Sequence, residues 1–236
     1  MPALAEPPLA ESRAPAPDAG RSRWADLRLR ILSAAVLAPV GLLCLWRGGL
    51  PWAVLLALAT GGLLLEWRGM SRRLAALWRA AGAAALLVPP LALYWLRSDP
   101  RTGRPDVLFV VLVVWASDIG AYAAGRWFGG PKLAPAISPA KTWSGAAGGL
   151  LAASAAGFCV ASGSWTALPV AVLLGCSAQA GDLAESAVKR AAGVKDSGRL
   201  IPGHGGLLDR LDGMLAAAPV AAGLAMLAGR GIVFWR

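Results

Sequence analysis

Leu108–Gly125 reads LFVVLVVWASDIGAYAAG. Nine residues, Leu108 to Ala116, pass without a charge, and only then do Ser117 and Asp118 arrive. A run that apolar buries easily, but an acid at its end is costly within a bilayer and by default marks function. Working outward, similar runs recur along the chain at about 31–46, 51–67, 80–96, 106–124, 144–162, 167–190 and 211–228. The 236 residues are 57% hydrophobic and 15% charged, against about 25% charged in soluble domains, and mean hydropathy is +0.57. These features predict an all-α fold: a polytopic transmembrane helical bundle of about seven spans, with cytoplasmic polar loops forming the site.

The organisation that follows has three parts. Residues 1–30 form a disordered, basic N-terminal tail, rich in Pro and Ala at first and then in Arg around Trp24. Residues 31–105 hold the N-terminal transmembrane helices. Residues 106–236 form the C-terminal catalytic region. Pro39 is expected to kink the first helix, and Pro89-Pro90 to bend or break the third. Gly and Ala enrichment at 144–162 favours close helix packing.

The net charge of +10 does not imply nucleic acid, because the basic residues flank apolar runs and no aromatic residues interleave a basic patch. With the N-terminus inside and seven spans, 17 Lys and Arg fall on the cytoplasmic side and 6 outside, the bias of an inner-membrane protein. Cys44, Cys159 and Cys176 lie in apolar runs without CxxC spacing, and there is one histidine, so a zinc site is not expected. A metal here would be a hard, oxygen-bound ion such as Mg²⁺.

Two polar clusters interrupt the apolar pattern. In Gly181–Met214, GDLAESAVKRAAGVKDSGRLIPGHGGLLDRLDGM, Asp182, Glu185, Ser186 and Lys189 share one helical face. A solvated helix end would explain the charges alone, but Asp182 follows a continuous apolar stretch. The glycine-punctuated loop beyond it carries Lys195, Asp196, Arg199 and His204 and suits an anion, although it is not a Walker loop. Asp209 and Asp212 open the last helix with Arg210 between them; simple capping would account for one acid. In the other cluster, Asp118 and Tyr122 stand four residues apart. The loop GGPKLAPAISPAKTWSG then supplies Lys132, Ser138, Lys141 and Thr142 as donors for anionic oxygens. Carboxylates that hold Mg²⁺, beside cations that bind phosphate, point to a membrane enzyme acting on a nucleotide or lipid phosphate. A CTP-dependent lipid kinase shares that logic, and a cation-coupled transporter would account for the buried acids.

The order Ser186-Ala-Val-Lys189-Arg190, Lys195-Asp196-Ser197 and Pro202-Gly-His204-Gly-Gly-Leu-Leu-Asp209-Arg210-Leu-Asp212 resembles the signature of the phosphatidate cytidylyltransferases, or CDP-diacylglycerol synthases. Ser117-Asp118-Ile-Gly120-Ala-Tyr122 and Ser138-Pro139-x-Lys141-Thr142-Trp143 resemble the family's other shared region. The chain departs from it at Ser144, where relatives often carry an acid, and at Gly213, where a serine is common. The resemblance implies cytidylyl transfer from CTP to phosphatidic acid for phospholipid biosynthesis. It also implies Mg²⁺, leaving open a monovalent cation such as K⁺, and a multi-pass inner-membrane enzyme, often a homodimer. Carried onto this chain, it makes Asp182 and Asp209 the metal-holding carboxylates and Ser186, Lys189, Arg190 and His204 site residues. With them the candidate site takes in Asp212, with Arg210, Lys141, Asp118, Tyr122, Ser138, Lys195 and Asp196 toward the substrates.

Overall fold

The computed structural model describes residues 19–201, 203, 205–229, 231 and 232, without the side chains of 19–27, 29–31 and 34. The first part of the expected tail, residues 1–18, lies outside the described residues, as do Pro202, His204 and the C-terminal four. Residues 19–30 are helical, forming the start of α1 (Ala19–Arg47).

α2 (Gly49–Met70) follows after a turn at Gly48, whose φ of 65° is one that a side chain would strain. A 3₁₀ turn (Ser71–Arg73) leads to α3 (Ala76–Ala85) and α4 (Val88–Ser98). These two are the expected third helix, interrupted at Leu86–Leu87. Pro89 and Pro90 have no N–H to donate and are tolerated only in the first turn of a helix, so a new one starts there. Asp99 accepts from the N–H groups of Thr102 and Arg101, which hold its carboxyl below the usual carboxylate range. This turn leads into α5 (Gly103–Phe128).

The stretch expected to be a fixed loop forms a small antiparallel hairpin, β1 (Lys132–Ala134) and β2 (Ser138–Thr142), an addition to the all-α expectation. Thr142 then caps α6 (Trp143–Val160), its hydroxyl accepting from the N–H of Gly145 at 3.1 Å. α7 (Ala167–Ala191) and α8 (Leu208–Ala228) complete the chain.

Among the described residues, six segments are long and apolar enough to cross a membrane: 49–73, 76–98, 103–128, 143–160, 167–191 and 208–228. The expected seventh falls in α1, whose apolar part, Ala35–Arg47, is about 20 Å long against a hydrocarbon core of about 30 Å.

The core lies between α5, α6, α7 and α8 and includes Phe109, Val110, Val113, Ala153, Ala171, Leu174, Ala178, Ala217 and Ala221, all fully buried. Its side chains are mostly small, so backbones come close. A Cβ on Gly120 would stand 2.5 Å from that of Ala152, and one on Gly149 would stand 2.8 Å from the Ser117 carbonyl oxygen. Large apolar side chains, Leu58, Leu151 and Leu227 among them, face outward, the arrangement a lipid solvent favours. Trp127, Phe128, Trp143 and Trp165 are exposed at helix ends, where a headgroup layer would lie. Arg97 fastens the other end of the bundle: its guanidinium donates to the Leu45 and Trp46 carbonyl oxygens at 2.6 and 3.0 Å, closing the end of α1.

Candidate active site

One end of the bundle gathers both polar clusters, because the last turns of α5 and α7 and the first turns of α6 and α8 meet there. Between them is a cavity of about 640 Å³, with Asp118, Tyr122 and Arg126 from α5, Lys141 from β2, Gln179 and Asp182 from α7, and Asp209, Arg210 and Asp212 from α8. Regions separated by more than sixty residues in sequence converge because the spans alternate in direction.

The close approach of α7 and α8 is set at Gly181. A Cβ there would lie 2.5 Å from the Cβ of Ala216 and 2.8 Å from the Asp212 carbonyl oxygen. Gly213 has a similar role from the other helix, with Ala178 and Val114 at 3.2 and 3.3 Å from a Cβ built on it. A serine at this position, common among the proteins the motif resembles, would have to displace them. With the helices this close, carboxylate oxygens of Asp182, Glu185 and Asp212 come within 4.8 Å of one another.

Lysines hold this anionic group together. Lys141 Nζ lies 2.6 Å from Asp182 Oδ2, tying the hairpin to α7. Lys189 Nζ donates to Asp209 Oδ1 at 2.7 Å and to Glu185 Oε2 at 3.2 Å, tying α7 to α8. Asp209 Oδ2 also accepts from the N–H of Ser197 at 3.1 Å. Glu185 Oε1 is buried and has no hydrogen-bond partner among the described residues. An unsatisfied buried carboxylate oxygen is expensive, and one beside two further carboxylates suits a hard cation.

Seven of the residues expected at the site from sequence line the cavity: Asp118, Tyr122, Lys141, Asp182, Asp209, Arg210 and Asp212. Lys189 adjoins it through Asp209. Ser186 is half-buried on α7 away from the lining, and Ser138 opens β2. Arg190 Nε donates to the Ile137 carbonyl oxygen at 3.4 Å, reaching the hairpin rather than the cavity. Lys195 and Asp196 are exposed in the loop between α7 and α8. The carboxylates that come together, Asp182, Glu185 and Asp212, differ from the Asp182–Asp209 pair drawn from the resemblance, because Asp209 turns to Lys189 and Ser197. The departure at Ser144 is accommodated locally: its hydroxyl donates to the Gly129 carbonyl oxygen and meets the Thr142 hydroxyl at 3.0 Å.

Two residues lie outside the set expected from the sequence. Gln179, one turn before Asp182, donates from Nε2 to the Ala146 carbonyl oxygen at 3.1 Å and spans α7 to α6. Glu66 on α2 is buried and binds the α7–α8 loop. Both are polar residues inside apolar runs, the same signal that singled out Asp118.

The fold and this cavity define a class: a polytopic helical membrane protein with carboxylates and cations converging at one end. The chain belongs to the cytidylyltransferase family, whose sequence profile matches residues 73–227. It is similar to the phosphatidate cytidylyltransferase of Brucella suis, 54% identical over 146 residues that cover 60% of this chain and 54% of that protein. It is 36% identical to the Rickettsia bellii phosphatidate cytidylyltransferase over 208 residues, 83% of this chain and 89% of that protein. To that of Mycobacterium bovis it is 45% identical over 127 residues, 52% of this chain and 42% of that protein. The chain spans about half the length of the Brucella relative it matches.

Proposed function

We propose that this chain transfers a cytidylyl group from CTP to phosphatidic acid, giving CDP-diacylglycerol and pyrophosphate. The carrying observation is the trio Asp182, Glu185 and Asp212, of which Asp182 and Asp212 line the same cavity as Lys141, Arg126 and Arg210. Relatives bearing the phosphatidate cytidylyltransferase name support the choice of substrates.

In this reaction an oxygen of the lipid phosphate attacks the α-phosphorus of CTP, and the bond from that phosphorus to the bridging oxygen breaks to release pyrophosphate. The nucleophile is already anionic, so a strong base is unnecessary. The barrier is repulsion between two anions, which positioning and charge neutralisation overcome. Lys141 and Arg126, which line the cavity, would receive the lipid phosphate, with the exposed Trp127 and Phe128 following Arg126 in the chain. Arg210 would offset charge on the nucleotide phosphates, and Lys189 keeps Asp209 and Glu185 in place. Asp182, Glu185 and Asp212 would hold Mg²⁺, with Asp209 adjoining; bound there, the ion supplies charge neutralisation on the polyphosphate.

The site would face the cytoplasm of the inner membrane. Between residues 47 and 229, twelve Lys and Arg lie at the cavity end of the spans (Arg68, Arg72, Arg73, Arg79, Arg126, Lys132, Lys141, Lys189, Arg190, Lys195, Arg199, Arg210). Four (Arg47, Arg97, Arg101, Arg104) lie at the other end. This twelve-to-four bias does not depend on whether α1 crosses.

The test is transfer of label from CTP labelled at the α-phosphate into lipid by the purified chain with phosphatidic acid. Mg²⁺-dependent transfer is expected, with Asp182→Asn slowing it by about 100-fold or more. Label left in water as CDP would point instead to a CTP-dependent lipid kinase and overturn the proposal.

A further inference from the structure

Glu66 lies outside residues 73–227, the part matched by the family, and does not line the cavity. It is nevertheless a polar anchor for the segment that carries two of the site's acids. α2 presents it within Leu63-Leu64-Leu65-Glu66-Trp67, and it is only 7% exposed. Its Oε1 accepts from the N–H of Leu207 at 2.9 Å and of Leu200 at 3.4 Å. Its Oε2 accepts from the N–H of Leu208 at 2.9 Å and the hydroxyl of Ser197 at 3.2 Å.

Leu207 and Leu208 are the N-cap and first residue of α8, and Leu207 has no side-chain oxygen to cap it. A helix start leaves N–H groups without partners and carries partial positive charge. Glu66 meets both needs from a different helix, 141 residues away in sequence from Leu207. The surrounding contacts are equally close. A Cβ on Gly62, one turn earlier, would lie 2.7 Å from Leu200 and 2.9 Å from Leu207, and one on Gly198 would lie 2.7 Å from Glu66 Oε1. A side chain at Gly198 would press on the Glu66 carboxyl itself, and one at Gly62 would displace the ends of the Leu200 and Leu207 side chains. Ser197 connects this anchor to the site: its hydroxyl reaches Glu66 while its N–H donates to Asp209.

We propose that Glu66 is a positioning residue: it docks residues 197–200 and 207–208 onto α2 and sets the first turn of α8, and with it the orientation of Asp209 and Asp212. The link to turnover rests on the cytidylyl-transfer reading above; the docking itself does not. Glu66→Gln keeps the shape and one acceptor but turns an NH₂ group toward N–H and O–H donors. Ser197→Ala is a milder second variant that removes one donor and keeps the backbone N–H on Asp209.

Hydrogen exchange and turnover of the full chain in lipid nanodiscs test the proposal together. In Glu66→Gln, amides of 197–213 are expected to exchange faster while those of α5 and α6 do not change. kcat is expected to fall by about 10- to 100-fold, as for misplacement of reacting groups by a fraction of an ångström, with KM for phosphatidic acid held. Ser197→Ala should move both readouts in the same direction, with kcat down by about fivefold. Unchanged exchange at 197–213 would overturn the proposal, as would an opened loop with wild-type kcat. So would faster exchange throughout, with activity lost only in proportion to unfolded protein. If the wild-type chain transfers no cytidylyl group, the functional reading fails, and the exchange pattern, which needs no substrate, still decides the docking.

Discussion

Lys189 carries two ion pairs at once, and that burden predicts how its loss will behave. Its side chain is 12% exposed, and those of Glu185 and Asp209 are 7% and 17% exposed. Removing the cation leaves two poorly hydrated carboxylates facing each other, a change that typically costs about 3–5 kcal/mol for a buried pair. Lys189→Met is therefore expected to lower thermal stability in detergent and abolish turnover. Adding Glu185→Gln to it should restore much of the stability without the activity, since one carboxylate of the cation-suited trio is then gone. Restored turnover in the double variant would show that Glu185 is dispensable. At this scale the sequence was informative in part. The 3.6-residue spacing already put Asp182, Glu185, Ser186 and Lys189 on one face, but which acid meets which depends on where a second helix crosses. Glu66 followed the rule applied to Asp118, an acid inside an apolar run, but its partner Ser197 is 131 residues away. No local spacing reveals a contact of that kind.

The crossing of α7 over α8 is where an element-level property controls the chemistry. Gly181 permits it, and Gly181→Ala would place a Cβ 2.5 Å from that of Ala216 and 2.8 Å from the Asp212 carbonyl oxygen. Overpacking of this kind costs about 1–3 kcal/mol, and here relief requires the two helices to separate, drawing Asp212 away from Asp182. The expected result is a lower melting temperature together with a turnover loss larger than the loss of folded protein explains. Gly61→Ala is the matching control: no atom lies within 4 Å of its Cβ, and removing a helical glycine should be neutral or stabilising by up to about 1 kcal/mol. Equal effects from the two substitutions would remove the special role of Gly181. Helix positions were legible because apolar length and proline chemistry act locally: the break before Pro89-Pro90 is one example. The hairpin was not, because its strands have three and five residues, too few to show alternation, and Pro139 argues against a strand unless it lies at an edge.

At the scale of the whole molecule, orientation is the property on which the proposed use of CTP depends, since a nucleotide would reach the cavity from one side only. The expectation of seven spans and the six found among the described residues differ at α1, so the loops between the later spans fix the orientation without it. The twelve-to-four excess of Lys and Arg at the cavity end survives that difference. It predicts that the exposed loop containing Lys195 lies in the cytoplasm and that the turn containing Arg101 lies on the opposite face. In a background with Cys44, Cys159 and Cys176 replaced by serine, Arg101→Cys should react with a membrane-impermeant maleimide in cells whose outer barrier has been opened. Lys195→Cys should react only after the inner membrane is broken. The reverse pattern would put the cavity on the side without CTP, and the nucleotide-transfer reading would fail with it. Labelling of both in unbroken membranes would mean that one of 103–128, 143–160 and 167–191 does not cross, since those three spans separate Arg101 from Lys195.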